Sequence, residues 1–357
     1  MADVFKRILL CAIFGAVLAG CWRSAGLVAD GGETDSDTQG GITDPDTGGP
    51  WVYEWTSMGS PADGDLSGVY GSSSSDVFAV GADGSLLRFD GEAWNGMQYP
   101  AATPVSDLAG AWGTSPWDVF AVGSDGVILH YDGDDWTHMD SGTGVNLHAV
   151  CGRSHDDVYA VGDGGALLAY DGATWSPIAT GTDRNLFAAW CAPGTAVWAA
   201  GHANDAFASS VLLRYDGVVT EIDHPVADFM YALGGTGADT VFIGGAYDAL
   251  GDDLHTEIYR SAGEAAFEPV CSDASLLLDL FAVGGGDLWA VGQAASGPSA
   301  GFASITRAVD GQLCESILFD ETDMLRGVWR DPADPMGIVF AVGDGGTIFH
   351  GVPTQAY

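Results

Sequence analysis

A six-residue string recurs seven times along this chain, and that recurrence limits the fold more than any other feature. It reads DVFAVG at 76–81 and 118–123, DVYAVG at 157–162, AVWAAG at 196–201, TVFIGG at 240–245, DLWAVG at 287–292 and IVFAVG at 338–343. The closing glycines are Gly81, Gly123, Gly162, Gly201, Gly245, Gly292 and Gly343, spaced 39 to 51 residues apart. A short apolar run bounded by turn residues predicts a strand buried on both faces. Strand-like content at a period of roughly 40 residues is the pattern of propeller blades, sheets that bury their faces only by stacking around an axis.

Residues 107–139 show one unit. DLAGAWG predicts an inner strand of small residues, DVFAVG the second strand, SDG a tight turn, VILHY the third strand, and DWTHM an outer strand after a second Asp-Gly turn. The last unit stops at GGTIFHGVPTQAY without an outer strand, while the domain begins with a spare one: WTSM at 55–58 matches WTHM at 136–139. The expected fold is therefore all-β: a seven-bladed β-propeller of four-stranded antiparallel blades over residues 51–357, its last blade closed by the N-terminal strand.

These repeats resemble the WD/YVTN/BNR-like propellers of bacterial extracytoplasmic proteins, and the units of photosystem II assembly factors that run G-x-x-G, strand, D-G-G-x-x-W. The resemblance covers nearly all of 51–357 and implies the fold, not an activity. It departs from the BNR Asp-box, because Asp90, Asp132 and Asp171 are each followed directly by Gly.

The N-terminus reads as an address. Lys6 and Arg7 precede an apolar run, Ile8 to Gly20, too short to span a bilayer. It ends in Leu18-Ala19-Gly20-Cys21, which resembles the bacterial lipobox. The resemblance implies cleavage before Cys21 and lipidation of its thiol. Residues 1–20 are then a signal peptide, and 21–50 the lipidated cysteine and a flexible acidic Gly/Asp/Thr linker. Trp22 in place of Asp favours the outer membrane in the familiar sorting rule. The expected location is the cell envelope, with the membrane contacted only through the lipid.

Lys+Arg number 11 against Asp+Glu 49, for a net charge of −38. Phosphate backbones are repelled, which excludes nucleic acid as a partner. Such a surface keeps the ring soluble, and the propeller is expected to be a monomer.

Two sets of residues are candidates for a site. Asp65, Asp107, Asn146, Asn185, Asp228 and Asp279 each precede an apolar residue near an inner strand. They read as turn caps, or as a polar ring at the channel mouth suited to a cation. Long connections at 202–210, 246–254 and 293–301 gather on the same face. There His202, Asn204, Asp205, Phe207, Tyr247, Asp248, Asp252, Asp253 and His255 form the candidate binding face for a protein or glycan. Asp248, Asp252, Asp253 and His255 are the weak candidates for a metal; calcium is the only cofactor considered, and none is required.

Cys151, Cys191, Cys271 and Cys314 allow two disulfides by three pairings in an oxidising compartment. Neighbouring inner-strand registers favour 151–191, and adjacent outer strands favour 271–314; free buried thiols are the alternative. G-x-S-x-G, P-loop and H-E-x-x-H motifs are absent from the sequence. Arg88, His130, Arg214 and Arg307 recur at one place in the repeat, which predicts a structural role. The expectation is a non-enzymatic, membrane-tethered interaction or assembly module. A glycan-binding or glycan-active propeller and a calcium-stabilised adhesin are the alternatives.

Overall fold

The computed structural model describes residues 38–43 and 50–355, apart from 101–104, 195, 204–208, 227, 238–239, 249–253, 262–265, 274, 284–286, 295–300, 310–312, 320–322 and 335–336. Each DVFAVG-type string forms the second strand of a four-stranded antiparallel blade, and seven blades follow in chain order. The first, from the axis outward, is Leu66–Ser73, Asp76–Gly81, Leu86–Phe89 and Trp94–Gly96. The inner strands of the next six are Leu108–Ser115, Leu147–Ser154, Asn185–Cys191, Phe229–Gly237, Ser275–Val283 and Leu325–Arg330. The seventh lies against the first, which closes the ring.

The closing strand is N-terminal, as the spare WTSM motif predicts. Pro50–Ser57 pairs antiparallel with Ile348–Gln355, setting Trp55 opposite Gly351 and Ser57 opposite Phe349. Its Trp55 packs edge-on against Trp289 of the sixth blade, ring centroids 6.1 Å apart. Trp94 meets Phe340, Trp136 meets Phe78 and Trp175 meets Phe120 in the same way, at 6.0, 6.3 and 6.3 Å. In these four blades the tryptophan of the outer strand thus meets the aromatic residue of the preceding blade's second strand, whereas the outer strands of the fourth, fifth and sixth blades carry no tryptophan. In one respect the sequence expectation is corrected. Thr38–Thr43, read as linker, pairs with Pro50–Glu54 as a fifth strand on the seventh blade. The outer strand offers an unpaired row of backbone groups, which the backbone of Thr38–Thr43 pairs.

Apolar clusters fill the spaces between blades, as between Phe78, Val80 and Leu86 of the first and Val119, Leu129 and Trp136 of the second. Near the axis a second joint recurs. The Trp112 indole covers Gly152 of the next blade, where a Cβ would come within 2.4 Å of it. Trp190 covers Gly235 and Trp329 covers Gly71 equally closely. Cys151 and Cys191 occupy these two registers in the third and fourth blades and form a disulfide, with Cα atoms 5.6 Å apart. Cys271 is also disulfide-bonded. The side chain of Cys314, its expected partner, lies outside the described residues.

The recurrent third-strand cations are ties to the second strand. Arg88 makes a bidentate pair with Asp76, His130 bonds Asp118 at 2.7 Å and Arg307 bonds Asp287 at 2.8 Å. Arg214 instead pairs with Asp216 at 2.6 Å, because its blade has Ala196 at the acidic position. The D-G-x-x-W motif is equally structural. Asp90, Asp132 and Asp171 each accept two backbone N–H groups of their own turns, which holds these carboxyls below the usual carboxylate range.

Candidate binding site at the axial mouth

The turn between second and third strands sets the geometry of one face. In the first blade it is Ala82-Asp83-Gly84, with Asp83 at φ 53° and Gly84 at φ 69°. Asp tolerates the first left-handed position; the second suits glycine. The glycine closing each second strand is needed for room. A Cβ on Gly81 would lie 2.0 Å from the Asp65 carbonyl, and one on Gly123 2.0 Å from that of Asp107.

Four of the six predicted mouth residues share one role, and it joins blades. Asp107 accepts the Asp83 N–H at 2.9 Å, Asn146 that of Asp125 at 3.1 Å, Asn185 that of Gly164 at 2.8 Å and Asp65 that of Gly345 at 3.0 Å. Each side chain therefore caps the turn of the preceding blade, while the carbonyls of Asp65, Asp107 and Asn146 accept the N–H groups of Ala82, Ser124 and Asp163 from the turns of their own blades. The capping reading of these residues holds, with the cap made across the seam.

The other two are displaced. Asp228 stands one residue before this position, which Phe229 fills, because Met230 is the residue opposite Gly245. Asp279 stands three residues after it, because Leu277 is the residue opposite Gly292. Asp279 occupies the place of Gly68, Gly110, Ala149, Ala188, Ala232 and Gly327, where inner strands come closest. Its carboxylate accepts Leu280 N–H at 2.8 Å and, across the seam, Val328 N–H at 2.9 Å. Burial pushes its pKa up to about 6 against the opposing pull of these two N–H groups.

The sequence reading missed the residues that surround the mouth. Every inner strand carries a bulge at the same place, and the extra residues are Ser67, Ala109, His148, Phe187, Tyr231, Leu278 and Arg326. A bulge re-aims one side chain out of the ladder, and all seven remain partly exposed. The signal was present as Leu-x-Gly/Ala: Leu66-Ser67-Gly68, Leu108-Ala109-Gly110, Leu147-His148-Ala149, Leu325-Arg326-Gly327.

The ring is lopsided. His148 bonds Asp163 at 2.7 Å, and its ring lies 4.8 Å from Phe187. Phe187 lies 5.3 Å from Tyr231 in the next blade. Phe229 stacks on Tyr231 at 6.5 Å with ring planes 7° apart. His202 fills the space behind, 4.6 Å from Phe187 and 4.7 Å from Tyr231. Beyond Leu278, Arg326 is ion-paired with Asp344 and Asp65; Ser67 and Ala109 leave the first two blades low.

His202 was expected on a loop. It is the last residue of the strand Val197–His202, opposite Asn185 and Ser210, and is 4% exposed. That burial lowers its pKa to about 4, so the ring is neutral at pH 7. Tyr247 and His255, also expected on a loop, are backbone partners in a strand ladder, as are Asp248 and Leu254. The strand predicted at 240–245 runs three residues further, to Asp248, and the one predicted at 196–201 runs one further, to His202. The side chains of Tyr247, Asp248 and His255 lie outside the described residues, as do Asn204, Asp205, Phe207, Asp252 and Asp253. Among the described residues no group of three or more His, Cys, Asp or Glu is arranged to hold a metal ion.

No family model matches the chain, and no curated protein matches it in sequence. Solved structures do match in fold. The structure titled "YCF48 bound to D1 peptide" is similar with a TM-score of 0.63 at 12% identity, over 84% of this chain and 96% of that one. The WD40 propeller domain of Doa1 gives 0.63 at 12% identity, over 84% and 96%. A catalytically inactive virginiamycin B lyase from Staphylococcus aureus with quinupristin gives 0.59 at 11% identity, over 84% and 99%. At such identities the likeness is one of fold.

Proposed function

We propose that this protein is a non-enzymatic interaction or assembly module, held at the cell envelope by a lipid on Cys21, whose axial mouth receives an extended segment of a partner protein. The observation that carries the reading is the contiguous arc of partly exposed rings contributed by the bulges of neighbouring blades, Phe187 and Tyr231 at its centre. Aromatic rings left partly exposed side by side mark a place where another molecule covers them. The described ion pairs near the mouth are ties within and between blades, which suits a binding surface better than a catalytic centre. A neighbour in fold is described with a peptide bound, which supports a peptide as the occupant. The outer membrane is the proposed location, on the strength of Leu18 to Trp22.

The test is photo-crosslinking in living cells, with benzoylphenylalanine replacing Phe187 or Trp117. Trp117 is 62% exposed and sits in a turn between first and second strands, on the opposite face. A discrete protein adduct at position 187 and none at 117 is expected. Identical adducts at both positions would remove the mouth as the site, and an adduct to carbohydrate alone would make this a glycan-binding ring.

A further inference from the structure

We propose that the aromatic arc at the mouth recognises arginine or lysine side chains, so that the partner presents a basic peptide segment; this rests on the reading that the mouth is the binding site. The faces of Phe187, Phe229 and Tyr231 carry the negative quadrupole that attracts a cation. Elsewhere in the ring such faces are already covered by arginines of the chain. Arg88 lies over Phe78 and Tyr131 at 5.1 and 5.9 Å, Arg153 over Tyr159 at 5.4 Å, and Arg307 over Tyr53 and Trp289 at 5.5 and 5.0 Å. Among the described residues no arginine of the chain lies over Phe187, Phe229 or Tyr231; the neighbours of Phe187 are the rings of His148, His202 and Tyr231.

The charge around the arc has the matching sign. His202, enclosed by the rings, is neutral at pH 7. Arg184 and Arg326, which lie on this face, are each ion-paired, with Glu221 and with Asp344 and Asp65. Asp125 and Asp183 are exposed on its turns and connections, and Asp163 is partly so. With a net charge of −38 the chain attracts a basic segment from a distance and repels an acidic one. Bulk attraction is not selective; the rings supply the local preference for a planar or compact cation.

Fluorescence anisotropy on the full chain at 0.15 M salt tests this. The probe is a labelled nonapeptide alternating arginine and glycine, beside versions in which lysine, citrulline or glutamate replaces arginine. The arginine and lysine peptides should bind. Citrulline, which keeps the shape and loses the charge, should weaken binding by about tenfold or more, and glutamate should abolish it. Phe187→Leu and Tyr231→Leu leave the charge of the protein unchanged and should each weaken the arginine peptide by about fivefold to tenfold, in line with a cation–ring contact of roughly 1–1.4 kcal/mol. Tyr231→Phe keeps the ring and should bind as wild type, which separates loss of the ring from a folding defect. Equal binding by the leucine variants and wild type would show that bulk charge alone holds the peptide and would overturn the proposal. So would equal binding of the citrulline peptide. If the crosslink at position 187 persists in either case, the mouth remains the partner site and only its preference for cations falls.

Discussion

Cys151 and Cys191 are bonded across a blade seam at the two registers where, in other seams, a tryptophan lies over a glycine. Trp112 on Gly152 and Trp190 on Gly235 flank them in the ring. The disulfide therefore replaces a packing contact with a covalent one. The cysteines are 40 residues apart in sequence, which limits the unfolded chain considerably. A Cys151→Ser, Cys191→Ser double variant should lose about 2–4 kcal/mol, read as a lower denaturant midpoint in oxidising buffer. Adding reductant to wild type should shift its midpoint the same way. An unchanged midpoint in both would show that packing alone holds this seam.

Closure by the N-terminal strand is tested by truncation. A chain beginning at residue 50 should retain the melting temperature of the longer protein, since Thr38–Thr43 is only an added edge strand. A chain beginning at residue 60 loses Tyr53 and Trp55, both buried, and exposes the edge of Ile348–Gln355. It should melt far lower and aggregate through that edge. Trp55→Ala alone should cost about 3–5 kcal/mol. Equal melting and monomer fraction for the two truncated chains would refute closure.

Asp279 makes stability depend on pH in an unusual direction. Its folded pKa, about 6, lies above the ordinary aspartate value of 3.8. The folded state therefore holds this proton more tightly than the unfolded state. The resulting stabilisation is present in full below pH 3.8 and is lost as pH rises through about 6. At about 1.4 kcal/mol per pH unit the whole effect is at most about 3 kcal/mol. Asp279→Asn should be more stable than wild type at pH 8, and the difference should shrink towards pH 4.5. Thermal melts of both proteins across this range check it, because the subtraction removes the common effect of the other carboxylates. A difference that does not vary with pH would mean that Asp279 does not titrate here.

Cys21→Ser should abolish labelling by a fatty-acid analogue and release the protein from membranes, since a hydroxyl does not replace the acceptor thiol. Persistent labelling would remove the lipid anchor from the account.

Much of the ring was legible because its determinants are local. The turn glycines, the DVFAVG cores, the D-G-x-x-W caps and the spare WTSM strand each act within a few residues, so the repeat itself shows seven blades and their closure. The 151–191 bond was also legible, because equivalent inner-strand registers meet in neighbouring blades. The site was less so. Counting by twos along an inner strand fails at a bulge, where one residue leaves the ladder. Phe187 and Tyr231 were therefore passed over as ordinary strand residues, and Asp279, matched to the start of an inner strand by the apolar residue after it, stands three positions deeper. His202 looked like a loop residue until the ladder was seen to extend through it to Asn185 and Ser210.

Sequence by itself determined the architecture, because strand pattern and turn chemistry are short-range and repeat with the chain. Tertiary structure alone decided which side chains meet. His148, Phe187 and Tyr231 come from three different blades, and only the closed ring, with a bulge at the same place in each inner strand, turns them into one surface. The same closure puts Asp279 against Val328 and gives an ordinary carboxyl a proton affinity that no local rule would assign to it.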